Sequence, residues 1–209
     1  MRGAIQPPSG TNRLSPAEMG PRALATRQAI LDAAKQLFLE RGYEGTRIEN
    51  ITDTAGISKA GFYTYFPTKR DVFLTLGEDI YRDITAVIDA FADLPNPASR
   101  ADVEQWVAQH WAFMEHSGAF ILVAVNAGPS DPELREVAHA VQLQAARHLG
   151  RHLRARQTHP RRDETALGLV VLAMLERSWF FPRVIGLNIN EQELQAAQAD
   201  MIEHLLHLP

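Results

Sequence analysis

The chain has 209 residues, no cysteine and a net charge of -4 at pH 7. That length can bury a core unaided, and the missing cysteine removes disulfides, thiolate metal sites and thiol catalysis. No apolar run reads as long enough to span a bilayer and no apolar signal-peptide core opens the chain, so the expectation is a cytoplasmic protein without membrane contact. The charge is unevenly placed. Residues 22–70 hold eight Lys/Arg against five Asp/Glu, a balance of +3; residues 71–209 hold eleven Arg against nineteen acids, a balance of -8. A basic module on an acidic body points to the module as the part that meets a polyanion, although two solvated surfaces of chance composition would look the same.

In chain order, residues 1–21 are rich in Pro, Gly, Ser and Thr, lack an apolar period and read as a disordered arm. A first helix is expected from about Arg22 to Arg41, with Ile30, Ala33, Ala34, Leu37 and Phe38 on one stripe and Gly42 as its stop. A short second helix, about Arg47 to Ala55, opens on Thr46-Arg47-Ile48-Glu49, which fits a capping box. Gly56 can adopt the left-handed conformation that leaves this helix sharply. Ser58 then caps a third helix ended by Pro67. Phe62 and Phe66, four residues apart, share its inner face. Lys59, Ala60, Tyr63 and Thr64 are left outside. A longer helix before two short ones joined by a Gly-containing turn is the helix-turn-helix plan, whose second short helix lies in the DNA major groove.

A fourth helix runs from Thr68-Lys69-Arg70-Asp71 to about Asp93 and is long enough to join this module to the body. Leu94-Pro95-Asn96-Pro97 breaks the chain. The spacing predicts a fifth helix over about 100–116, an interruption at Gly118, and a buried sixth over 119–127. Gly128-Pro129-Ser130 reads as a loop. Asp131-Pro132, a cap followed by proline at the first position, opens a seventh helix to about Gln157, and His159-Pro160-Arg161-Arg162 is a polar connection. The eighth, about Asp163 to Ile185, is apolar on nearly every side, so another subunit is its natural cover. Asn190 caps a ninth, about Glu191 to His207.

Residues 26–76 resemble the N-terminal domain of the TetR family of transcriptional regulators. The likeness rests on Ala33-Ala34-x-x-Leu37-Phe38, Gly42-Tyr43, Thr46-x-Ile48-x-x-Ile51, Ala55-Gly56-Ile57-Ser58-Lys59 and Phe62-Tyr63-x-Tyr65-Phe66-Pro67-x-Lys69. Beyond the fourth helix, Met174-x-Glu176-Arg177 and the aromatic run after it are similar to the ethionamide-resistance repressor subgroup. The resemblance implies an all-α fold of about nine helices. It comprises a helix-turn-helix DNA-binding domain (22–68) and a helical ligand-binding and dimerisation domain (69–209). It also implies double-stranded DNA as partner, a homodimer through helices at about 163–185 and 191–207, and a repressor released from a palindromic operator by a small apolar ligand. The alternative is a helical ligand- or partner-binding protein that does not use DNA.

The resemblance places Lys59, Ala60, Gly61 and Tyr63 near base edges, and Thr46, Tyr65 and Lys69 near phosphates. Arg47, Ser58 and Thr64 complete the candidate DNA-binding set. The chemistry is compatible. A lysine reaches a guanine edge or a phosphate; a tyrosine offers its ring to a thymine methyl and its hydroxyl to a phosphate. The family commonly has Gly followed by Thr or Ser where this chain has Ala60-Gly61, so a usual hydroxyl contact is missing and sequence preference does not carry over. The candidate ligand set is Trp106, Val107, His110, Trp111, Met114, Phe120, Gln144, His148, Met174 and Trp179, apolar walls with a few polar groups. Ordinary core packing explains each of them singly. His148 and His152 are four apart, but no third ligand is evident in the sequence, so no metal and no cofactor are expected. No G-x-S-x-G, H-E-x-x-H or phosphate loop occurs, and the chain is not expected to be an enzyme.

Overall fold

The computed structural model describes residues 18–126, 131–157 and 162–206. The expected arm (apart from residues 18–21), the loop at 128–130 and most of the polar connection at 159–162 lie outside them. Eight helices, and no strands, are present among the described residues: α1 (Pro21–Gly45), α2 (Ile48–Ala55), α3 (Lys59–Tyr65), α4 (Lys69–Ala92), α5 (Arg100–Asn126), α6 (Pro132–Arg156), α7 (Glu164–Phe180) and α8 (Glu191–Leu206). A π-helical turn, Phe181–Ile185, extends α7.

The expected count of nine is corrected to eight at Gly118, which continues α5 instead of breaking it. The residue is glycine for closeness. A Cβ there would stand 2.7 Å from Met114 Cε and 2.8 Å from Trp179 Cζ3. An indole from α7 therefore occupies the space a side chain would take.

Two apolar clusters hold the chain together. The first gathers Ile30, Leu31, Leu37 and Phe38 of α1, Ile51 of α2, and Phe62 and Phe66 around α3. Val72, Phe73 and Leu76 from the start of α4 join them, with Phe120, Ala124 and Leu134 from α5 and α6. The second is the core of the body. It takes Ile84, Ile88 and Phe91 from the far half of α4, together with residues of α5 to α8. α4 thus belongs to both cores, and its 24 residues span about 36 Å at 1.5 Å each. Arg70, at its start, pairs with Glu133 (2.5 Å) at the start of α6, and the Asp131 carboxylate lies 3.7 Å away.

α6 and α7 cross with their backbones nearly touching. A Cβ at Gly150 would fall 1.6 Å from the Glu164 carbonyl oxygen, and one at Gly168 would fall 1.8 Å from that of Ala146. Two glycines facing each other allow this approach, and the apolar side chains of the body pack around it.

The expectation that no apolar run could span a bilayer needs correcting. Residues Glu164–Ile185 form one helical segment of 22 residues, long and apolar enough to cross a membrane by length and composition alone. Its Leu167, Val171, Leu172, Leu175 and Trp179 are buried in the body core, which accounts for part of that composition, while Val170, Phe181, Val184 and Ile185 are exposed.

Candidate nucleic-acid interface

The module presents α3 through a tight turn. Gly56 ends α2 at φ 67° and ψ 34°, in the left-handed region. The Ile57 N–H then donates back to Thr52 O at 3.0 Å. Ser58 caps α3, its Oγ accepting from the Gly61 N–H at 3.0 Å. Phe62 is fully buried and Phe66 nearly so, which fixes the rotation of the helix about its axis. Lys59, Ala60, Tyr63 and Thr64 therefore face outward, all exposed, with Gly61 and Tyr65 half-buried at the margins. The Tyr63 ring stands edge-on to Phe62, 5.6 Å between centroids, and remains 42% exposed. Its stem is braced and its rim is solvent-exposed. A Cβ added at Gly61 would meet only Ser58 Oγ at 3.3 Å and Ile57 Cβ at 3.9 Å. The fold therefore has no strong need for glycine there.

Lys59 is not idle. Its Nζ lies 2.5 Å from Glu49 Oε1, so α2 and α3 are joined by a surface ion pair across the turn. That contact raises the ammonium above the ordinary lysine range and lowers the Glu49 carboxyl. Glu49 therefore competes with any polyanion for the Lys59 ammonium. Periodicity could not show this, because the two residues sit on different helices. Arg47 is exposed beside them.

Thr46 is corrected. Its side chain is buried, with 1% exposure, and its hydroxyl donates to Leu37 O (3.1 Å) and Gly42 O (2.8 Å). It closes the end of α1 and does not face a phosphate. The capping box also shifts by one: Arg47 is the N-cap, and its backbone N–H donates to Asn50 Oδ1 at 3.1 Å. Lys69 is similarly committed. Its Nζ donates to Tyr43 O (2.6 Å) and Thr46 O (2.9 Å) and lies 4.1 Å from the Tyr43 ring centre. Burial lowers its pKa below the usual lysine value. One of its three N–H groups remains for an external anion.

The candidate ligand residues divide. Trp106, Val107, His110, Trp111 and Met114 are buried on α5, and Trp179 joins them from α7; Met174 packs against the same core, half-buried. Each indole N–H has a partner: Trp106 donates to Val87 O (2.7 Å), Trp111 to Gln198 Oε1 (2.8 Å) and Trp179 to Glu115 Oε1 (2.9 Å). His110 does not. Neither ring nitrogen has a hydrogen-bond partner and the residue has 0% exposure, so burial drives its pKa down to about 4 and keeps it neutral. Three residues fall outside the group. Gln144 is exposed on the outer face of α6. Phe120 stacks at 5.1 Å on Phe73 in the module's core. His148 bonds to Asp89 Oδ1 at 2.8 Å, half-buried between α4 and α6. Asp89 is the acid that the His148/His152 pair lacked in the sequence; it lies 59 residues away.

Residues 30–76 match the family described as bacterial regulatory proteins, tetR family. The HTH-type transcriptional regulator CymR of Pseudomonas putida is 32% identical over 117 residues, 55% of this chain and 57% of that protein. The HTH-type transcriptional regulator RutR of Escherichia coli (strain K12) is 36% identical over 69 residues, 33% of this chain and 32% of that protein. The matched region thus spans little more than half of the first relative and about a third of the second. Among solved structures, the fatty acid degradation regulator FadR from Bacillus halodurans superposes with a TM-score of 0.68 at 17% identity, covering 88% of this chain and 96% of that one. That likeness speaks for the fold, and it extends through the body where the sequence match fades.

Proposed function

We propose that this chain, whose residues 30–76 match the tetR family of bacterial regulatory proteins, is a member of that family and a DNA-binding transcriptional regulator, a repressor that a small apolar ligand releases from a palindromic operator. The observation that carries the DNA half is α3. Phe62 and Phe66 anchor it, and its outward residues Lys59, Ala60, Tyr63 and Thr64 are solvent-exposed on the one basic module of an otherwise acidic chain. In this reading α3 lies in the major groove. Lys59 and Tyr63 reach base edges and phosphates, with Arg47 and Thr64 beside them. Ser58 acts through its cap, and Lys69 sets the α1–α4 junction and offers its remaining proton to a phosphate. We take 22–68 as the DNA-contacting unit and 69–209 as the body.

The homodimer is assigned to α7, its π-helical extension and α8. Val170 (68% exposed), Phe181, Val184, Ile185 and Met201 form the apolar surface that a second copy would cover. The ligand reading rests on His110. A buried neutral imidazole with two unsatisfied nitrogens is costly unless something supplies their hydrogen bonds, and it sits among Trp106, Met114 and Phe113. A mainly apolar molecule with one polar group suits that environment. Met174, Glu176, Arg177 and the following aromatics are the residues on which a likeness to the ethionamide-resistance subgroup stands.

The test is selection of bound fragments from genomic DNA by the purified chain, followed by titration of the Lys59→Ala/Tyr63→Ala double variant on the selected site. The expected result is a loss of at least about thirtyfold, two contacts at ~1–3 kcal/mol each. Wild-type affinity in the double variant, or retention independent of salt, refutes the assignment.

A further inference from the structure

We propose that Asp89, His148 and His152 form a binding site for a divalent transition-metal ion of the zinc type, bridging α4 and α6. The site goes beyond the regulatory reading and does not depend on it. His148 and His152 lie one turn apart on the same face of α6. Asp89 reaches them from α4, its Oδ1 2.8 Å from His148 Nε2 and 3.9 Å from His152 Nε2. One donor atom from each residue falls within 4.8 Å of the others, and the two rings are 4.9 Å apart.

A tetrahedral ion with bonds of about 2.0–2.1 Å holds its ligand atoms about 3.3 Å apart. The observed spacings bracket that value, so small side-chain rotations close the set. Two imidazoles and a carboxylate suit zinc, cobalt or nickel, whereas calcium and magnesium prefer oxygen alone. Three protein ligands leave one position for water.

A simple hydrogen bond tying α4 to α6 accounts for His148. It does not account for His152, whose Nε2 is buried and has no hydrogen-bond partner. A bound cation supplies what that nitrogen lacks. The surroundings temper the affinity. Arg151 and Arg156 add positive potential at His152, although the Arg156 guanidinium is engaged by the carbonyls of Ala92, Leu94 and Pro95. The place matters for the fold, since Arg70 already joins α4 to the start of α6. A metal at Asp89 would clasp the same two helices a second time, five turns further along α4.

The experiment is isothermal titration of the tag-free, EDTA-stripped full chain with ZnCl2, alongside His148→Gln, His152→Gln and the exposed control His139→Gln. Circular dichroism confirms that each variant is folded. The expected result is one Zn2+ per chain, bound at least about tenfold more weakly in each of the first two variants and unchanged in the control. Zinc should also raise the melting temperature of the wild type and not of His152→Gln. Absence of saturable binding to the wild type overturns the proposal, and so does wild-type affinity in His152→Gln.

Discussion

Gly168→Ala adds one methyl group and should cost more stability than most single changes in this chain. The methyl would sit 1.8 Å from the Ala146 carbonyl oxygen and 2.7 Å from the Gly150 nitrogen. Ordinary contact begins at 3.4 Å, so the first neighbour must withdraw by about 1.6 Å. That neighbour is helix backbone and cannot rotate away. α6 and α7 must part, and the layer of Leu149, Leu153, Val171 and Leu175 around the crossing opens with them. A gap of 0.5–1 Å already forfeits a quarter to a half of a dispersion contact. Overpacking of this kind costs about 1–3 kcal/mol and sometimes more. Alanine's helical preference returns ~1 kcal/mol. With the parted layer included, the net loss should be about 3 kcal/mol, a fall in melting temperature of roughly 6–12 °C for a chain of this size. Thermal and urea unfolding measure it, with Gly77→Ala as control. Nothing lies within 4 Å of a Cβ at Gly77, so that change should gain up to ~1 kcal/mol. If Gly168→Ala melts with or above the wild type, the two backbones are not in contact and the packing described for the body is wrong.

Glu49→Gln should raise DNA affinity by up to about fivefold, because an exposed ion pair no longer competes for Lys59; fluorescence anisotropy at fixed salt checks this, and an unchanged or weaker affinity counts against it. His110 stays neutral down to about pH 4 in the folded chain, while an unfolded histidine takes a proton near 6.5. Stability should therefore fall as pH drops from about 6.5 toward about 4, by up to ~3 kcal/mol, and His110→Leu should remove that part of the acid sensitivity in urea melts. Glu176 runs the opposite way. Burial raises its carboxyl from 4.5 to about 7, so the unfolded chain releases a proton that the folded chain keeps. Stability should decline between about pH 4.5 and 7, by up to ~3 kcal/mol, and Glu176→Gln should flatten that limb; an equally steep slope in the variant would show that another group carries it.

What could be read in advance was local. The Gly56 turn, the Ser58 cap, the Phe62/Phe66 anchor and the start of α4, where the Thr68 hydroxyl accepts from the Asp71 N–H at 3.2 Å, each involve residues within five positions of one another. Their geometry is fixed by helix periodicity and backbone preference. The errors share a different cause. Gly118 looked like a break because glycine breaks helices, but here it makes room for an indole from another helix, 61 residues away. Thr46 looked like a cap because it precedes a helix, yet its hydroxyl turns back to Leu37 and Gly42 to finish the helix behind it. Phe120 looked like part of the body because its helix is, and it packs in the module. Asp89 beside His148, Glu49 beside Lys59 and Gly150 against Gly168 are contacts between helices, and no pattern within one helix encodes its partner.

The core around Phe38 and Phe73 is completed by Phe120, Ala124 and Leu134. Fragments and grafts must respect this. A peptide ending at Thr68 would carry every group on the outer face of α3 and lack a wall of the room behind it. A chimera that joins residues up to 68 to another protein's helices sets Phe38 against whatever side chains that protein supplies in place of Val72, Phe73 and Leu76. Transplanting the outer face of α3 therefore means transplanting Val72, Phe73, Leu76, Phe120, Ala124 and Leu134 with it.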